Sequence, residues 1–250
     1  MKRLAALLCA LCLLLTAALP CVCAEDAEEP YKDVLVLKST TWISHFIQEP
    51  WPRGEIRICP ATLEQTDGTR EVYFVTVRGI DWTAKGANDF GAYLLTLGDN
   101  DCKYYRHVKA AIETYVPQGA AIVIYGHSLG GMIAQRILCD EELTAAYEFL
   151  NAVTFGSPYV VTDKEKREGT LVRLQDTDDI VPKFSLAILL SREDYNGGLR
   201  RSGGFEHDLS GAHNVSYKMN KTWGDLDALG VPDGGAVLTL DLDGLVTLPS

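Results

Sequence analysis

Strands alternating with helices around one sharp strand-to-helix turn make this chain an α/β protein, with a mostly parallel central sheet and helices on both faces. Two observations carry that reading. The apolar, β-branched run 121–125 leads straight into Gly126-His127-Ser128-Leu129-Gly130-Gly131, and apolar residues at helical spacing follow, with Ile133/Ile137 and Ala134/Leu138 as i, i+4 pairs. Two more strand-like runs, 149–155 and 170–174, come after a helix-length interval, the order expected of strands joined by helical crossovers.

Taken from the N-terminus, residues 1–24 read as a removable export signal. Lys2 and Arg3 form a short basic region, residues 4–19 are almost unbroken apolar, and Val22-Cys23-Ala24 sets the cut at Ala24/Glu25. The apolar stretch falls short of the ~20 residues of a membrane helix. A lipid anchor at Cys21 is disfavoured by the bulky Leu19 and Pro20 before it. The expected product, residues 25–250, is a single exported domain, secreted or periplasmic, of 226 residues (250 − 24). That length suffices for one full core.

Net charge is 23 − 34 = −11, and loss of Lys2 and Arg3 makes it 21 − 34 = −13. So acidic a chain is poorly suited to nucleic acid or to charge-driven docking on anionic lipid. Four of the seven cysteines (Cys9, Cys12, Cys21, Cys23) lie in the leader. Cys59, Cys102 and Cys139 remain, an odd number with no paired spacing, and read as packed thiols rather than a disulfide framework.

Further elements follow in order. Residues 34–37 are a short strand or a helix start. Residues 55–61 and 71–77 alternate and flank Thr66-Asp67-Gly68-Thr69, which makes an antiparallel hairpin. Residues 101–116 read as a helix stopped by Pro117, residue runs 121–125, 149–155 and 170–174 as strands, and 131–147 as a helix. Gly156-Ser157-Pro158 ends the second of those strands. Residues 185–212 form a long polar, glycine-containing segment, and 237–248 alternates in the manner of an edge hairpin. No internal repeat or low-complexity linker is visible.

Gly126 to Gly130 is a G-x-S-x-G motif. The pattern alone arises often by chance and can be a plain structural turn. Here a strand precedes it, a helix follows it and the glycine is doubled. A turn that tight holds the central serine hydroxyl exposed at the sheet's edge and aims the next amide, on Leu129, at a developing oxyanion. Ser128 is therefore the candidate nucleophile. A serine needs a base and an orienting carboxylate, and on such folds they follow in the order Ser, Asp, His. His207 and His213 are the histidines downstream of Ser128. Asp176, Asp178 and Asp179 all follow the strand 170–174. His127, inside the turn, is expected to pack or hydrogen-bond beneath it.

Three segments, Gly-His-Ser-Leu-Gly-Gly, Val77-Arg78-Gly79 and Asp179-Ile180-Val181-Pro182, together resemble the class 3 lipase family, the fungal-lipase-like branch of the α/β hydrolases. The resemblance runs from about Arg70 to Tyr217. It implies an α/β-hydrolase fold, Asp179 as the triad acid, and His213 as the base, because His213-Asn214-Val215-Ser216-Tyr217 is similar to the family's histidine followed by a tyrosine-bearing helix. His207, between Glu206 and Asp208, has the surroundings of a surface residue. The oxyanion donors implied are the amides of Leu129 and Ile80. The family places Thr or Ser where Ile80 stands, so a hydroxyl contact is lost while the backbone donor remains. Residues 81–97 occupy the family's lid position. Trp82, Phe90 and Tyr93 would line an acyl groove there or else belong to an ordinary core helix.

The function implied is cleavage of a carboxylic ester, with a hydrophobic or lipid acyl substrate, through an acyl-enzyme. Transient contact with a lipid surface follows from that, and no obligate protein partner is indicated. A thioesterase or peptidase on the same fold, and a non-catalytic secreted binding protein, are the alternatives. Without HExxH, paired cysteines or a phosphate-cradling glycine loop, neither metal nor organic cofactor is expected. Two sequons occur, at Asn214 and Asn220, and a glycan on the first would obstruct His213.

Overall fold

The computed structural model describes residues 34–49, 56–79, 102–160, 167–184 and 198–248. The strand Ala121–His127 (β4) is buried along its whole length. A strand can be apolar throughout only when both faces of its sheet are covered, as in parallel α/β sheets. Ile122 and Ile124 point into one core, and Ala121, Val123 and Tyr125 into the other.

Among the described residues the sheet has nine strands. Gly68–Val77 (β3), β4, Glu148–Phe155 (β5), Thr170–Asp176 (β6) and Gly198–Arg201 (β7) lie side by side and all run parallel. Ile56–Gln65 (β2) pairs antiparallel with β3, closing the expected hairpin at the Thr66–Asp67 turn. Val237–Asp241 (β8) joins β2 antiparallel, and Val34–Leu37 (β1) is the edge beyond it. Val246–Leu248 (β9) also pairs with β2.

Helices cover both faces. On one lie Lys103–Tyr115 (α2), Leu129–Ile137 (α3) and Glu141–Ala146 (α4), contributing Tyr105, Val108, Ile112, Ile133 and Leu143 to the core. On the other lie Thr40–Gln48 (α1) and the helical turns around Tyr217 and Trp223. No helix among the described residues is long and apolar enough to cross a membrane. Cys59 is buried, and Cys102 and Cys139 are half-buried.

Two expectations need correction, and two stretches hold elements that the sequence did not assign. The helix anticipated at 131–147 is two helices. Asp140 interrupts it, because its carboxylate caps α4 through the amides of Glu142 and Leu143 while taking the Tyr105 hydroxyl and the Lys109 ammonium from α2. The C-terminal alternation is not an edge hairpin, since β8 and β9 each pair with β2 and β8 sits between β1 and β2. The polar segment 185–212 contributes the parallel strand β7. Residues 40–48, left unassigned by the sequence, are a helix whose last turn is held by Arg57, which donates to the carbonyls of Phe46 and Glu49.

Candidate active site

Parallel register brings the C-terminal ends of four strands together. Val77 is level with Gly126, His127 with Phe155, and Phe155 with Leu174. Gly79, Ser128, Gly156 and Asp179 therefore come off neighbouring strands at one end of the sheet, where open α/β sheets place ligands.

Ser128 has φ 55 and ψ −122, a backbone region that costs a non-glycine residue on the order of 1–3 kcal/mol. Its amide donates to the Phe155 carbonyl at 2.9 Å, and its own carbonyl accepts from Gly131 at 3.1 Å. The surrounding glycines are required by contact. A Cβ at Gly126 would meet the backbone of Gly130 and Gly131, one at Gly130 the carbonyls of Val77 and Arg78, and one at Gly131 the Ser157 side chain. The turn fits only because all three lack side chains. Ser128 itself is 6% exposed.

Beside it, the end of β3 presses close. A Cβ at Gly79 would stand 2.9 Å from Ser128 Cβ and 3.1 Å from His127 Nδ1. The Tyr104 hydroxyl fixes that strand end by donating to the Arg78 carbonyl at 2.9 Å. Leu129 is the first residue of α3, so its amide is one of the helix's unpaired N-terminal donors. Ile80, Trp82, Phe90 and Tyr93 lie outside the described residues.

Of the three aspartates at and just beyond the end of β6, Asp179 meets a histidine. His213 Nδ1–H donates to Asp179 Oδ2 at 2.9 Å. The Tyr217 hydroxyl donates to the same oxygen at 2.7 Å, and the Val181 amide to Oδ1 at 2.9 Å. Asp179 is completely buried. Burial alone would raise its pKa, but His213 and these hydrogen bonds outweigh it and hold the carboxyl below its ordinary range. Asp176 is also buried, but its carboxylate is occupied by the Ser216 hydroxyl and the amides of Gly203 and Asp178. Asp178 accepts from Ser202 and the Phe205 amide. His207 is exposed.

His213 sits in the π-helical turn Gly211–Val215, a form concentrated at functional sites. Its ring lies 4.7 Å, centroid to centroid, from that of His127. His127 Nε2–H donates to the His213 carbonyl at 2.9 Å, the contact expected of a histidine beneath the turn.

The contacts of three supporting residues escaped the sequence reading. Gly156 has φ 57, and a Cβ there would crowd Asp179 Oδ2 at 2.7 Å and His213 Nδ1 at 3.1 Å. The signal was a glycine at the end of the strand beside the elbow strand. Gln135 on α3 donates to Gly131 O, Ser157 Oγ and Pro158 O, and accepts from the Val160 amide, tying the elbow helix to the loop after β5. The Tyr217 hydroxyl, besides donating to Asp179, accepts the Asp176 amide at 2.9 Å. A polar residue at helical spacing does not disclose such partners.

A family model described as lipase (class 3) matches residues 66–188. The resemblance to the class 3 lipase family therefore holds over just under half of the chain. The matched span holds the elbow and Asp179, while His213 lies beyond it and meets Asp179 through the fold. Among solved structures, the Lip2 lipase from Yarrowia lipolytica aligns at 13% identity over 68% of this chain and 66% of that one, with a TM-score of 0.28. The chain thus spans just under two thirds of that lipase. No curated protein matches the sequence. Among the described residues, no cluster of His, Cys, Asp or Glu could hold a metal ion.

Proposed function

We propose that this chain is a class 3 lipase-like, exported serine hydrolase that cleaves carboxylic esters with hydrophobic acyl chains, lipid esters foremost. The observation that carries the reading is the buried Asp179–His213 hydrogen bond at the same end of the sheet as a serine held at φ 55. Ser128 Oγ attacks the ester carbonyl carbon and gives its proton to His213 Nε2. Asp179, kept anionic, holds the other ring nitrogen protonated and stabilises the imidazolium that forms. The Leu129 amide and, at the end of β3, the Ile80 amide receive the carbonyl oxygen as it becomes an oxyanion. Collapse expels the alcohol, which takes the proton from His213. Water, activated by the same histidine, then hydrolyses the acyl-enzyme. None of these steps calls on a metal or cofactor.

Trp82, Phe90 and Tyr93 are proposed to line the acyl groove, and residues 25–250 to be the exported domain. Burying acyl carbon contributes about 0.8 kcal/mol per CH₂, so kcat/KM should climb with chain length until the groove is full. The test is a p-nitrophenyl ester series from acetate upward, below the critical micelle concentrations, alongside matched thioester and anilide substrates. A rise past butyrate with little amide cleavage is expected. A maximum at acetate would overturn the lipid-ester reading, and preference for the thioester or anilide would overturn ester hydrolysis.

A further inference from the structure

We propose that His127 is a positioning residue for His213, a neutral imidazole whose Nε2–H pins the backbone of the π-helical turn that carries the base. The inference rests on the reading of His213 as the general base. Its ground is geometric. The Asp179 carboxylate grips one end of the His213 ring, at Nδ1. A single such bond leaves the ring free to swing about the Nδ1···Oδ2 axis. The second anchor comes from the other side, where His127 Nε2 meets the His213 carbonyl at 2.9 Å and the two rings pack 4.7 Å apart. Together they fix both the ring plane and the backbone behind it.

A carbonyl oxygen only accepts, so the bond requires the proton on Nε2 of His127 and leaves the Nδ1 lone pair facing Gly79. That glycine lets the end of β3 approach, since a Cβ there would come 3.1 Å from Nδ1 and 2.9 Å from Ser128 Cβ. His127 thus touches the nucleophile's strand, the strand end proposed to carry the second oxyanion donor, and the turn of the base. It is 5% exposed, and Tyr217 closes the pocket edge-on at 6.2 Å. Burial first, and then His213, push its pKa down to about 3 against the smaller upward pulls of the His213 carbonyl and Asp179, with Lys218 adding the least. Its protonation state and tautomer therefore stay fixed while His213 cycles its proton.

The test compares wild type with His127→Leu, which deletes the donor, and His127→Gln, whose amide offers an N–H at a similar reach. Each is assayed for kcat and KM on a soluble p-nitrophenyl ester and for the rate of fluorophosphonate labelling, with circular dichroism as the check on folding. Misplacing a base by about 1 Å costs up to ~100-fold in rate. His127→Leu should therefore lose about 10- to 100-fold in kcat and in labelling rate at unchanged KM, and His127→Gln should recover most of that loss. A folded Leu variant with wild-type kcat, or a folded Gln variant as impaired as the Leu variant, would overturn the proposal. Should the Leu variant not fold, ¹⁵N NMR of the wild-type imidazoles decides: His127 must remain the neutral Nε2–H tautomer from pH 5 to 8, and an Nδ1–H or charged ring refutes it. Failure of the wild type to label at all would instead refute the hydrolase reading, and the NMR result would still report on the His127 bond.

Discussion

At the scale of single residues, the site is held by hydrogen bonds to a few buried polar groups. Asp179 takes three donors and His127 gives one, so both are fixed in one charge state: anionic for the first, neutral for the second. This has a consequence for acid stability. His127 has a folded pKa of about 3 against an ordinary value of 6.5. Between those values the unfolded chain binds a proton that the folded chain refuses, so stability falls as pH drops through that window. Asp179, with its carboxyl held below the ordinary range, contributes stability above the unfolded value that is lost as pH falls through its folded one. The thermal midpoint should thus be level just above pH 6.5 and decline below it, and His127→Gln should show a shallower decline between pH 6.5 and 4. Parallel curves for the two proteins would show that His127 does not carry the linkage. Ser128 was legible in the sequence because its signal is local: strand, glycines and helix are contiguous. The choice of Asp179 over Asp176 was not local. Both are buried aspartates at a strand end, and what separates them is which partners the chain returns to them from residues 203–217.

At the scale of elements, the turn between β4 and α3 depends on absent side chains. Gly130 rests on the carbonyls at the end of β3, so Gly130→Ala forces two elements apart. Overpacking of that kind costs typically 1–3 kcal/mol, and the urea midpoint should fall by a corresponding amount with activity lost alongside. A variant as stable as wild type would mean that the β3 end yields freely. The hairpin β2–β3 and the strands β4, β5 and β6 were readable from alternation and turn chemistry. Helix α1 was not. Its β-branched Thr40, Thr41 and Ile43 are weak helix formers, and its last turn is satisfied by Arg57, eight residues beyond Glu49 on another strand. Strand β7 was missed for a related reason: Gly198-Leu199-Arg200-Arg201 has no alternation to read and is a strand because β6 offers it a ladder.

At the scale of the whole molecule, the parallel block β3–β7 places the candidate site residues at one end, and the antiparallel strands β2, β8, β1 and β9 extend the sheet on the far side of β3. The order of those added strands was beyond sequence reading, because β8 must insert between β1 and β2 across nearly the whole chain length. The lipase (class 3) match over residues 66–188 agrees with an enzyme working on ester groups. If the leader reading is right, N-terminal sequencing of the protein recovered outside the producing cell should begin at Glu25. A chain that retains residues 1–24, or one that stays in the cytoplasm, would contradict export. The central claim, that Ser128 is activated by His213 and Asp179, is tested most directly by mass-spectrometric mapping of fluorophosphonate adducts on wild type, Ser128→Ala and Asp179→Asn. The account predicts a single adduct on Ser128 in the wild type, none in the folded Ser128→Ala variant, and labelling slowed by as much as ~10⁴-fold in Asp179→Asn. An adduct on another residue, or equal labelling rates in wild type and Asp179→Asn, would contradict it.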